Sequence, residues 1–115
     1  MTIRHALLIM LAAACLPPVA AAQAPTGDPQ AGAQKISMCE GCHGIEGWRT
    51  AFPEVYHVPR IGGQHEAYLV KALQAYRSGE RGHPSMRAIA LGLTDKDIAD
   101  LAAYYARPST QSAAK

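Results

Sequence analysis

The 115-residue chain has little of what small domains commonly use to hold themselves together. It contains one Phe, one Trp and three Cys. Its N-terminal apolar run is too short to cross a bilayer, which takes roughly 20 residues in a helix. No segment alternates apolar and polar residues over a strand's length and no internal repeat recurs, which argues against sheet and repeat architectures. An excess of one charge is missing too, with eleven Lys/Arg against nine Asp/Glu. That balance excludes the basic surface a nucleic-acid-binding domain needs.

At the N-terminus stands a leader. Arg4 precedes an apolar run from Ala6 to Ala14, followed by prolines and the small residues Ala20, Ala21 and Ala22. This is the layout of a cleaved secretory signal peptide over residues 1–22, with the mature chain starting near Gln23. The stretch LAAAC offers a second outcome, in which Cys15 becomes a lipidated first residue; Ala12 stands where that signal usually has a larger aliphatic. Cleavage after Ala22 removes Cys15 and leaves Cys39 and Cys42 as the remaining cysteines. About 93 residues then form one small domain, with ten Lys/Arg against nine Asp/Glu once Arg4 is gone. A chain this short and this poor in aromatics under-fills its own core, a deficit that a staple or a large buried group repairs.

Residues 23–27 (QAPTG) read as a linker, 28–107 as the domain and 108–115 as a disordered tail. Asp28-Pro29 is an N-cap followed by Pro at the first helical position, and the helix it opens runs into the cysteines. From Gly44 to Gly63 no period is sustained, which predicts a long structured loop of the kind that wraps a ligand. The segment HEAYLVKALQAYRSGE is a helix with Tyr68, Leu69, Ala72, Leu73 and Tyr76 on one face, ended by Gly79. A further loop, GERGHPSMRAIALGL, leads to a last helix capped by Thr94 with Asp97 three residues on. Its buried stripe is Ile98, Leu101, Ala102 and Tyr105, and Pro108 stops it. The predicted fold class is all-α, with three main helices joined by long loops.

The chemistry concentrates in CEGCHG, Cys39 to Gly44. Cys-x-x-Cys-His is the attachment pattern of c-type haem. Two thiols at this spacing reach two vinyl groups of one porphyrin, and the next side chain reaches the iron. Cys39 and Cys42 would form the thioethers and His43 would be the proximal ligand. Zinc needs four ligands, and no further cysteine follows while His57, His65 and His83 are widely spread. A thioredoxin-like site needs a βαβ setting, which is missing. A plain structural disulfide stays open on spacing alone. For the sixth position the candidates are Met86, in the predicted loop GHPSM, and His83 three residues before it. Met38 adjoins Cys39 and sits on the proximal side, and His57 and His65 read as surface or loop residues. A thioether at Met86 would raise the reduction potential relative to a second imidazole, which suits an electron carrier. Trp48, Phe52, Tyr56 and Tyr76 are candidates to pack on the haem, and Arg49 and Arg60 to pair with its propionates.

Taken together, CEGCHG, VPRIGGQ, YLVKALQAYRSGER, HPSMRAIA and LTDKDIADLAAYYA resemble a class I cytochrome c over residues 28–107. The likeness is nearest to one half of the two-haem periplasmic cytochromes c of proteobacteria and to their one-haem relatives. It implies a small helical fold wrapped around one covalent haem c, His43/Met86 ligation and one-electron transfer in the periplasm. It also implies that the Pro59 carbonyl steadies His43. The partners it implies are a donor and an acceptor protein, a membrane-associated redox complex being one candidate, with a place as the cytochrome subunit of a larger periplasmic oxidoreductase complex as the alternative. The segment IEGWRTAFPEVYHV is longer and more aromatic than the resemblance leads one to expect.

Overall fold

The computed structural model describes residues 24–51 and 54–108. The leader, Cys15, Phe52 and residues 109–115 lie outside the described residues. Five helices and one two-stranded ladder make up the fold: α1 (Pro29–Ala33), α2 (Ser37–His43), β1 (Arg49–Thr50), β2 (Tyr56–His57), α3 (Glu66–Ser78), α4 (Pro84–Leu91) and α5 (Asp95–Tyr105).

Its helical character is as expected, but the helix count differs in two places. The first predicted helix is two. Asp28 caps α1 by accepting from the Gln30 N–H at 2.9 Å. The Gln34 and Lys35 N–H groups then bond to Ala31 and Gly32, three residues back, and this tightened turn ends the helix before α2 begins. The second difference is α4, which occupies most of the predicted loop GERGHPSMRAIALGL. Pro84 starts it with φ already fixed, and the His83 side chain takes the cap position usually held by Ser or Asp. The Gly44–Gly63 loop holds a minimal antiparallel ladder, with Arg49 opposite His57 and Thr50 opposite Tyr56. The last helix forms as predicted, with the reciprocal Thr94–Asp97 capping box. Gly79, at φ +84°, ends α3 in the left-handed conformation that only glycine adopts cheaply.

Helix α5 is the hub. It carries most of the buried apolar side chains, including Ile98, Leu101, Ala102 and Tyr105, and packs against both α1 and α3, while α4 packs on α3. The α1–α5 crossing is close because Gly32 has no side chain: a Cβ there would stand 2.2 Å from the Asp100 carbonyl oxygen. Gly27 makes the same approach to the Ala99 carbonyl.

Beside this crossing Asp100 is buried, only 1% exposed, and fully engaged. Its carboxylate accepts from the Asp28 N–H at 2.7 Å, from Lys35 Nζ at 2.8 Å and from Lys96 Nζ. Lys35 also pairs with Asp97 at 2.7 Å. The Lys35 hydrogen bond, followed by those from Lys96 and Asp28, holds the Asp100 carboxyl far below the usual carboxylate range. Asp97 is lowered to about 2, first by Lys35 and then by Thr94.

Both carboxyls are less acidic in the unfolded chain, so the stability they confer is complete above about pH 4 and is lost as pH falls towards 2. Lys35 is shifted upward by the same bonds, so its share persists until pH rises beyond its ordinary 10.5. The Asp97→Asn/Asp100→Asn double variant is therefore expected to melt lower than wild type at pH 7. Its melting temperature should fall less steeply between about pH 4 and 2, and thermal melts at stepped pH measure both slopes.

Candidate functional site

Between α2, the 56–61 segment, α3, α4 and the inner face of α5 lies a cleft of about 950 Å³. This is the upper end of the roughly 300–1,000 Å³ typical of small-molecule sites. Its walls are mainly apolar, with Leu69, Leu73, Ile89, Leu93 and Leu101 among them, and no Asp or Glu lines it.

The predicted face of α3 is found here. Tyr68, Leu69, Ala72, Leu73 and Tyr76 all border the cleft, and of these only Leu69 is buried. A helical stripe reads alike whether it meets a protein core or a large apolar guest; in this protein it forms the wall of the cleft.

Helix α2 delivers Cys39, Cys42 and His43 to one cleft. One helical turn separates the two sulfurs, and Gly44 closes the helix directly after the histidine. Cys39 and Cys42 are not bridged to each other by a disulfide. Burial is the main cause that raises the Cys39 thiol above its ordinary value, offset in part by the neighbouring Tyr105 hydroxyl. The Tyr105 hydroxyl is itself buried with no hydrogen-bond partner, and burial pushes its acidity down. No group of three or more His, Cys, Asp or Glu side chains suited to a metal ion occurs among the described residues.

The His43 ring is oriented by a backbone group. Its Nδ1–H donates to the Pro59 carbonyl oxygen at 2.7 Å. A carbonyl only accepts, so Nδ1 carries the proton and Nε2 keeps its lone pair for a metal.

Met86 reaches the same cleft from the first turn of α4 rather than from a loop. Its N–H donates to His83 Nδ1 at 3.4 Å. The His83 ring lies 4.9 Å from Tyr56 and 6.5 Å from Tyr76, so the cap is packed between aromatics. His83 and Met38 border the cleft too, the latter 57% exposed beside Cys39. His57, read from sequence as a surface residue, borders it from β2, whereas His65 precedes α3 and does not. Arg60 lines the cleft and pairs with Glu46 at 3.7 Å; Arg49 and Trp48 do not line it. Tyr68, expected on the apolar face of α3, and Arg81, not singled out from sequence, both line it. The only trace of Arg81 in the sequence was its place just after the Gly79 helix stop.

The sequence profile of the family described as Cytochrome c matches residues 29–106. The chain belongs to the cytochrome c family.

Among relatives, this cytochrome is 45% identical over 82 residues to cytochrome c-554(548) of Halomonas halodenitrificans, covering 69% of this chain and 94% of that protein. It is 41% identical over 96 residues to cytochrome c4 of Thiocapsa roseopersicina, covering 82% of this chain but 47% of the relative. A more distant match, 36% identical over 75 residues, is the thiosulfate dehydrogenase electron acceptor of Stutzerimonas stutzeri, covering 64% of this chain and 33% of that protein. The cytochrome thus spans about half the length of a cytochrome c4. It is a class I cytochrome c related to the two-haem cytochromes c4, and the family carries haem c covalently.

The residues present fit that group. Two cysteine sulfurs stand one turn apart, an imidazole nitrogen is available beside them, and the walls are apolar and of sufficient volume. The orphan Tyr105 hydroxyl adds a donor next to the Cys39 sulfur.

Proposed function

We propose that this cytochrome is a periplasmic one-electron carrier whose single haem c is bound through thioethers at Cys39 and Cys42 and ligated by His43 and Met86. The observation that carries the reading is the meeting of two short helices at one apolar cleft, α2 with Cys39, Cys42 and His43, and α4 with Met86. Haem c supplies one reversible electron at its iron when bound.

The chain's own part is to fix the ligands and exclude water. Cys39 and Cys42 tether the group at its edge. His43 presents Nε2 because Pro59 holds Nδ1–H, which sets the ring's angle. Met86 contributes a soft thioether that favours the reduced metal, and α4 holds it through the His83 cap. Leu69, Leu73, Ile89 and Leu101 keep the surroundings apolar, and that low-dielectric setting tunes the reduction potential. With two protein ligands in place no coordination position is left for a substrate, so the reading is a carrier rather than an enzyme.

The predicted leader over residues 1–22 supports export to the periplasm, with lipidation at Cys15 as the alternative. The match to a thiosulfate dehydrogenase electron acceptor supports an oxidoreductase as donor, and a second reading as the cytochrome subunit of such a complex. Ile45, Trp48 and Val55, exposed around the β1–β2 ladder and outside the cleft lining, offer that partner an apolar contact.

A redox titration of the matured protein tests the reading, with spectra of both states and carbon monoxide added last. A one-electron curve, a low-spin spectrum with the weak far-red sulfur-to-iron band and indifference to carbon monoxide are expected. Ready carbon monoxide binding would show an open iron and defeat the carrier assignment.

A further inference from the structure

The cleft accepts a group with two carboxylates, yet among the described residues no acidic side chain and only two arginines, Arg60 and Arg81, line it. Arg60 is turned towards Glu46, at 3.7 Å. Arg81 makes no ion pair among the described residues, not even with the adjacent Glu80.

Arg81 is nevertheless held in place. Its backbone N–H donates to the Ala75 carbonyl at the end of α3, at 3.0 Å. Its guanidinium lies 4.8 Å from the Tyr76 ring centroid, in the range of a cation–π contact. Its Nη1–H donates to the Tyr68 hydroxyl oxygen at 3.3 Å. That last bond has a direction. The Tyr68 oxygen is accepting from Arg81, so its own O–H proton is free to donate elsewhere. A fixed cation and a fixed hydroxyl proton therefore stand side by side on the cleft wall, with no anion of this chain between them. Donors restrained in this way lose little freedom when they bind a carboxylate.

We propose that Arg81 and Tyr68 form the anion subsite of the cleft and receive one haem propionate, with Tyr76 holding the guanidinium in register. The assignment rests on the haem reading above, but not on Met86 as the sixth ligand. An adjacent cation favours the ionised carboxylate and lowers its pKa, typically by about 1–3 units at close range. The other titratable side chains lining the cleft are Cys39, Cys42, His43, Tyr56, His57, Arg60, Tyr76, His83 and Tyr105, so the carboxylate itself has to be observed.

The test is a pH titration of the haem-propionate resonances by NMR in the matured protein, its Arg81→Gln, Arg81→Lys, Tyr68→Phe and Arg60→Gln variants. For Arg81→Gln one propionate is expected to bind protons at least about tenfold more tightly, a midpoint moved up by about one unit or more. Tyr68→Phe should move the same resonance in the same direction by less, and Arg81→Lys should restore part of the effect as a point charge without the fork. Arg60→Gln should leave that resonance in place. Unmoved propionates in Arg81→Gln, or a shift produced by Arg60→Gln instead, would overturn the assignment. The far-red band recorded on the same samples separates this outcome from a failure of the Met86 ligation.

Discussion

Met86→Ala is expected to give a folded cytochrome that has lost its far-red band, binds carbon monoxide when reduced and has a markedly lower reduction potential. Each effect has its own cause. The band arises from sulfur donating to ferric iron, so it disappears with the thioether. The open position then accepts a small ligand or water. The potential falls because a soft sulfur ligand stabilises the reduced metal more than the oxidised one. A change of the order of 100 mV is in proportion to the ~0.8 V over which axial ligands tune haem proteins. His83 is poorly placed to substitute. Its Nδ1 is taken by the Met86 N–H and its ring is packed between Tyr56 and Tyr76. A Met86→Ala protein that stayed low-spin and refused carbon monoxide would mean that another side chain had become the ligand. Absorption spectra with potentiometry decide between these results.

The second large effect is expected at Gly32, far from the cleft. Gly32→Ala places a Cβ 2.2 Å from the Asp100 carbonyl oxygen and 2.8 Å from the Tyr104 Cβ, both closer than atoms can pack. Neither neighbour is a flexible side-chain end; one is the backbone of α5 and the other is anchored directly to it. The helices have to separate, which strains the Lys35 and Asp28 contacts to Asp100. Overpacking of this kind costs about 1–3 kcal/mol, and for a domain of this size each kcal/mol lowers the melting temperature by about 4–8 °C. Gly92→Ala is the control: its nearest contact is an ordinary 3.5 Å from the Ile89 carbonyl, and its φ of −82° suits any residue. Its melting temperature should stay close to wild type. Equal losses in the two variants would remove close helix approach as the explanation.

What could be read in advance followed from how directly the chemistry constrains the chain. Cys39, Cys42 and His43 stood out because thioether attachment, where it occurs, dictates spacing whatever the fold around it, and the structure brings the three to one cleft. Helix α5 was legible because its capping box and its apolar stripe give the same answer. Helix α4 escaped because its cap is a histidine, an unusual choice, and because eight residues carry little periodicity. Asp100 gave no warning: an aspartate beside lysines looks like solvated surface until the fold brings Lys35 across 65 residues to meet it. The Pro59 carbonyl is a backbone acceptor, and its bond to His43 was expected from the family resemblance rather than from residue type. Arg81 and Tyr68 are 13 positions apart, too far for any local rule to join them.

The contact between α1 and α5 also bears on how such domains are strung together. Asp28 bonds to Asp100 and Thr26 to Lys96, so the polypeptide enters the domain beside the helix by which it leaves. None of these four residues borders the cleft. Lys96 and Asp100 lie in the first half of α5, so entry and exit stand about 15 Å apart along that helix at about 1.5 Å per residue. A connector of a few extended residues spans that distance without reaching the cleft. Relatives such as the cytochromes c4, about twice the length of this chain, are compatible with that geometry. Where both ends of a domain run along one helix, duplicating it asks for little more than a linker.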